Sequence, residues 1–237
     1  MEIDDIKFSN GKAWLIIDDM EYSKSLNLSL VEVEKQISTI KYRDIYTKFK
    51  EIKKGMTEQG SFPPFNYVFF SYLYNYNKVL NAEQFIEEYF NKYKDIFEIE
   101  GDILKYDNWK YFKNGLIARM LRAYPSLIRD FHFYLMLVED KSFDRVQYSC
   151  KSDLEGVDIV IEHKGEKYGV SLFVNTNRGC KYKTIKNSYR HTYNFKEIQI
   201  PLKLSQAKKC GDICVCGKQE LLIVKKKVQG GSYGDFR

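Results

Sequence analysis

The stretch from Asp153 to Asn175 constrains this chain most. Two alternating runs rich in β-branched residues, 157–161 and 168–174, flank a polar segment that contains Gly165. That pattern predicts two antiparallel strands joined by a tight turn. Asp158 falls inside the first run, where a carboxylate is unfavourable unless it has a task. It is therefore the leading candidate for a functional residue.

The rest of the chain supplies elements around this hairpin. Asn10-Gly11 between apolar runs predicts an N-terminal hairpin, because that dipeptide tolerates the positive φ of a type I′ turn. Ser29 to Glu32 is a capping-box pattern, and it predicts one helix carrying Leu30, Val33, Ile37, Ile40, Ile45 and Phe49. Gly55, Gly60 and Pro63-Pro64 predict a loop after it. Residues 65–80 hold seven aromatic side chains at helical spacing; core packing is the expected role, with base stacking as the alternative. Asn81 to Gln84 caps the next helix. A short strand pair is expected around Gly101. Asp107 is expected to cap a helix through Trp109 and Leu121 that presents Lys110, Lys113, Arg119 and Arg122 on its other face. Pro125 should interrupt, and Ser126 should cap a further helix holding Arg129, Asp130 and His132. His132 lies among aromatics and is expected to be a partly buried, hydrogen-bonded histidine rather than a catalytic base. Strands are expected at 146–148 and 197–202, then a closing hairpin of 212–216 and 220–224 around Gly217-Lys218, and a flexible Gly-rich tail.

Composition narrows the classes. Hydrophobic residues make up 44% of 237 residues, enough for a substantial core. A net charge of +6 favours an acidic partner, nucleic acid before a membrane surface. No apolar run approaches the roughly 20 residues that cross a bilayer. The acidic 1–7 segment predicts no secretory signal, and five cysteines without one predict reduced thiols in a cytosol. Cys210, Cys214 and Cys216, with Cys180 upstream, lack two knuckles of zinc spacing, so buried thiols are expected. Arg178, Lys181, Lys183, Lys186, Arg190 and His191 form a basic, Tyr-rich segment. In it Lys183, Lys186 and Arg190 share one helical face suited to a phosphate backbone, or form a solvated surface.

Before residue 100 the chain reads as a hairpin plus an aromatic-rich helical region; 101–228 reads as an α/β core, and 229–237 as the tail. In the core the order is helix, three strands, helix, strand. That order, with Asp158 near the second strand, resembles the PD-(D/E)xK, or restriction-endonuclease-like, superfamily. The resemblance implies an α/β fold with a mixed central sheet flanked by helices, here following a mainly helical N-terminal region. It also implies a site in which carboxylates hold Mg²⁺ and a lysine stabilises charge at a phosphodiester. Where the family carries E-x-K on its third strand, this chain has Ser171-Leu172-Phe173. Glu162-His163-Lys164 offers a literal match. By alternation Asp158, Glu162 and Lys164 share a face, giving either a shifted site with Asp153 or Asp130 contributing, or a solvated turn. What the resemblance implies is a DNA-binding protein that cuts DNA with Mg²⁺, in a setting of host–phage conflict. DNA or another nucleic acid would be the partner, with no membrane and with a homodimer allowed. A non-catalytic nucleic-acid-binding protein on the same fold and a protein–protein interaction module are the alternatives.

Overall fold

The computed structural model describes residues 5–52, 62–107, 109–176 and 195–229. Strands β1 (Asp5–Ser9), β2 (Lys12–Ile17) and β3 (Met20–Ser25) open the chain. Asn10 and Gly11 both take positive φ, 44° and 79°, so the expected turn forms. Helices α1 (Leu30–Ser38), α2 (Tyr42–Phe49), α3 (Phe65–Tyr76) and α4 (Ala82–Lys92) follow. The Ser29 and Asn81 capping boxes form at α1 and α4. A three-stranded meander then appears, β4 (Glu98–Glu100), β5 (Ile103–Tyr106) and β6 (Trp109–Phe112). The long helix α5 (Lys113–Asp140) leads into β7 (Arg145–Ser149), the short helix α6 (Cys150–Leu154), β8 (Ile159–His163) and β9 (Glu166–Val174). Strands β10 (Lys196–Leu202), β11 (Lys208–Cys210) and β12 (Ile213–Val215) and helix α7 (Lys218–Val228) close the described chain.

The fold is mixed α/β. Seven strands form one sheet in the order β10-β9-β8-β7-β1-β2-β3. Strand β10 runs parallel to β9, and the remaining neighbours pair antiparallel. The N-terminal hairpin therefore continues the sheet of the expected α/β core, and the division near residue 100 does not divide it. Ile6 and Phe8 on β1, Tyr148 on β7, and Phe69 and Phe70 on α3 are fully buried. Phe70 stacks on Tyr148 with centroids 4.3 Å apart, and Phe131 of α5 lies 5.9 Å from Phe8. The aromatic helix thus serves the core, each buried ring being worth about 1.5–3 kcal/mol. No helix among the described residues is long and apolar enough to cross a membrane.

Four expectations are corrected. The single helix expected from Ser29 onward breaks into α1 and α2, because Ser38 Oγ and Thr39 Oγ1 donate to the carbonyls of Lys35 and Gln36. Those hydroxyls compete for acceptors that a continuing helix needs. Residues 109–112 form β6 rather than a helical turn; aromatic side chains favour a pleated, half-buried surface. Pro125 lies inside α5 without ending it. A proline there costs about 3 kcal/mol, which burial of Leu121, Tyr124 and Ile128 on either side exceeds. Residues 220–224 are helical, with the Gly217 N–H donating to Glu220 Oε2 at the helix start, and β12 pairs with β11 instead. A short apolar run fits a strand or a buried helix equally well by periodicity.

Candidate metal centre

Three carboxylates converge from three elements. Asp130 projects from α5, Asp153 from α6, and Asp158 precedes β8 by one residue. One oxygen of each lies within 4.8 Å of the others. Asp130 and Asp158 are 5% and 8% exposed, so this is a largely desolvated acidic cluster. At an effective dielectric of 20, two unit charges at that spacing repel by about 3–4 kcal/mol. A hard divalent cation is the natural counter-charge for such oxygen donors.

Local structure explains why they meet. Asp5 accepts from the Ser149 hydroxyl at 2.7 Å and from the Lys151 N–H at 2.9 Å, which seats α6 against β1. Ser149 also accepts from the Ser152 N–H, capping α6. Gly156, at φ 89°, reverses the chain between Asp153 and Asp158; only glycine adopts that conformation without strain. The Asp158 N–H donates to the Val170 carbonyl at 3.1 Å, and its Oδ2 accepts from the Leu172 N–H at 2.6 Å. Asp153 Oδ2 accepts from the Asn66 amide at 2.9 Å. The cluster faces a cavity of about 520 Å³ whose other walls include Phe62, Phe65, Arg119 and Leu172.

Neighbouring groups register the negative field. Burial pushes the Tyr148 phenol well above its ordinary value, and Asp153, Asp130 and Asp158 push it further. Burial likewise raises the Cys216 thiol, with Arg129 opposing and Asp130 and Asp158 adding to the rise.

Of the residues singled out in the sequence, Asp158 comes together with both of its alternative contributors, Asp130 and Asp153. Glu162 does not. It lies near the far end of β8, within 3.7 Å of Arg145 and 3.4 Å of Lys167. Four residues of strand separate it from Asp158, about 13 Å. Lys164 sits in the β8–β9 turn at φ 50°, its N–H donating to Asp144. Shared alternation put these side chains on one face but not at one end of the strand. Arg122 donates to the Ile52 carbonyl at 2.5 Å. Arg178, Lys181, Lys183, Lys186, Arg190 and His191 lie outside the described residues. His132 is fully buried, with Nε2 2.9 Å from Glu34 Oε1. Cys150, Cys210 and Cys216 are buried free thiols and Cys214 is partly exposed. Among the described residues, the cysteines join no metal-competent cluster.

Asn66 was not legible as a site residue. Its partner Asp153 is 87 positions away, and no local pattern marks it. Comparison with family models, with curated proteins and with solved structures returned no match.

Proposed function

We propose that this chain is a DNA-binding protein with a divergent metal-dependent nuclease core, cutting DNA with Mg²⁺. The observation that carries the reading is the convergence of Asp130, Asp153 and Asp158 on one cavity wall. Three carboxylates are hard oxygen donors and suit Mg²⁺ or Mn²⁺ better than a thiolate-seeking metal. The order α5, β7, β8, β9 and then a parallel β10, with the short helix α6 inserted between β7 and β8, supports a restriction-endonuclease-like core.

A divalent cation held by the three carboxylates supplies Lewis acidity at a phosphodiester and lowers the pKa of nearby water. The chain's own residues do the positioning. The Leu172 N–H fixes the rotation of the Asp158 carboxylate, and the Asn66 amide fixes Asp153. Partners of this kind typically contribute 10–100-fold to metal affinity or activity. A host–phage conflict is the setting we propose by analogy with that superfamily.

The test is supercoiled plasmid incubated with Mg²⁺ or Mn²⁺. Nicking by the wild type, lost in Asp158→Ala while DNA binding is kept, is the expected result. Unchanged nicking by that variant removes Asp158 from the chemistry. A second reading, a non-catalytic nucleic-acid-binding protein on the same core, is favoured by Leu172. That apolar residue lines the cavity on β9, in the segment where the resemblance puts a carboxylate and a lysine. Salt-sensitive DNA binding without nicking selects it.

A further inference from the structure

We infer that the cavity beside the three aspartates takes an unpaired DNA strand, with Arg119 as the contact that holds it at the end away from the carboxylates. This rests on the DNA-binding part of the proposed function for the identity of the polymer.

One stripe of α5 floors the cavity: Arg119, Ala123, Ser126, Leu127 and Asp130. The spacing is that of successive turns on one helical face. Eleven residues separate its ends, about 16 Å along the helix axis. The small side chains of Ala123 and Ser126 keep the middle of the floor low. The result is a trough with carboxylates at one end and a guanidinium at the other.

Arg119 is exposed, and its guanidinium carbon lies 5.7 Å from the ring centroids of both Phe62 and Phe65. Two aromatic neighbours limit the orientations of a side chain that otherwise loses much rotamer freedom on binding. The wall behind it is pinned. Tyr89 and Tyr93 donate to the carbonyls of Pro63 and Pro64 at 3.0 and 3.4 Å, and Phe62 packs on Tyr111 with centroids 4.1 Å apart. A preorganised wall lowers the ordering cost of binding.

A planar guanidinium binds phosphate and also stacks on a base. Aromatic faces accept any base, so such a wall suits strand binding without sequence preference. The carboxylate end accepts phosphate only through a cation, whereas the Arg119 end accepts it directly, which orients a strand along the trough. Size selects the unpaired form. A volume of about 520 Å³ falls in the range of sites that enclose one small molecule. An unpaired nucleotide, such as one in the melted segments of a supercoiled plasmid, enters such a space, while a base pair with both backbones does not.

The test uses the full chain with Ca²⁺ in place of Mg²⁺, a short fluorescent oligothymidylate, and a blunt duplex of equal length. Fluorescence anisotropy should show the single strand bound at least tenfold more tightly than the duplex. Arg119→Ala should weaken single-strand binding by about tenfold, the size of one lost stacking or charge contact. Arg119→Lys should recover only part of that, because it restores the charge without the plane. Equal affinity for the two probes, or unchanged single-strand binding in Arg119→Ala, overturns the inference even if plasmid is nicked. Arg119-dependent single-strand binding without any Mg²⁺-driven cleavage upholds it and removes the nuclease reading instead.

Discussion

Replacing Asp158 by Asn should stabilise the metal-free protein. The amide keeps an oxygen that accepts from the Leu172 N–H, now at 2.6 Å from Oδ2, so the local hydrogen bond survives. What is lost is the repulsion from Asp130 and Asp153, whose oxygens lie within 4.8 Å. Each pair is worth about 3–4 kcal/mol at an effective dielectric of 20, and cavity solvent and neighbouring donors should cut the net gain to about 1–2 kcal/mol. For a chain of this length that gain raises Tm by about 2–4 °C. Metal should reverse the order. A cation at 100 times its Kd stabilises the wild type by about 2.7 kcal/mol, and the variant, lacking one of the ligands, gains far less. Thermal melts of both proteins with EDTA and with Mn²⁺ read this directly. A variant that melts below the wild type in EDTA would show that the negative charge of Asp158 stabilises the metal-free fold and is not repelled within a strained acidic cluster.

Three further outcomes follow from the same geometry. Asn66→Ala should lose about 1–2 kcal/mol in chemical denaturation, since it strips a donor from Asp153, and should weaken Mn²⁺ binding about tenfold. Gly156→Ala should lose about 1–3 kcal/mol in the same measurement, because φ 89° is strained for an L-residue, and the metal affinity should fall with it. The third concerns pH. Burial holds His132 below its ordinary value of 6.5 against the opposing Glu34 and Glu139, with Lys208 acting in the same direction as burial. The unfolded chain therefore takes up that proton first as pH falls. The contribution of His132 is complete above its unfolded value and is lost as pH drops through the lower folded one. Partial burial raises Glu34, but the hydrogen bonds and charges of Lys208 and His132 together outweigh it and hold the carboxyl below the usual range, so its contribution is lost at still lower pH. Melts between about pH 7 and 5 should decline less steeply for His132→Gln than for the wild type.

The parts of the fold that the sequence revealed are those fixed by local chemistry. Asn10-Gly11 and the Gly165 turn require positive φ, and Ser29 and Asn81 satisfy their own helix N–H groups. The parts it concealed are decided by distant partners. Pro125 reads as a break until the burial on both sides of it is known, and 220–224 reads as a strand until Val224 and Val228 are seen buried. The site divides in the same way. Asp158 stood out because a carboxylate inside a β-branched run is anomalous, although the structure sets it one residue before β8, and Asp130 was within reach of the argument. Glu162 and Lys164 misled because alternation gives the face of a strand and not the end. Asn66 and Phe62 left no local trace, since chain reversal alone brings them to Asp153 and Arg119, and Phe65 showed only as one of the aromatics of 65–80.

The most direct measurement is Mn²⁺ binding followed by electron paramagnetic resonance in the wild type, Asp130→Asn and Glu162→Gln. Saturable binding that is lost in Asp130→Asn and unchanged in Glu162→Gln is the expected result. Wild-type affinity in Asp130→Asn, or binding that disappears with Glu162, would contradict a cation centre built from Asp130, Asp153 and Asp158.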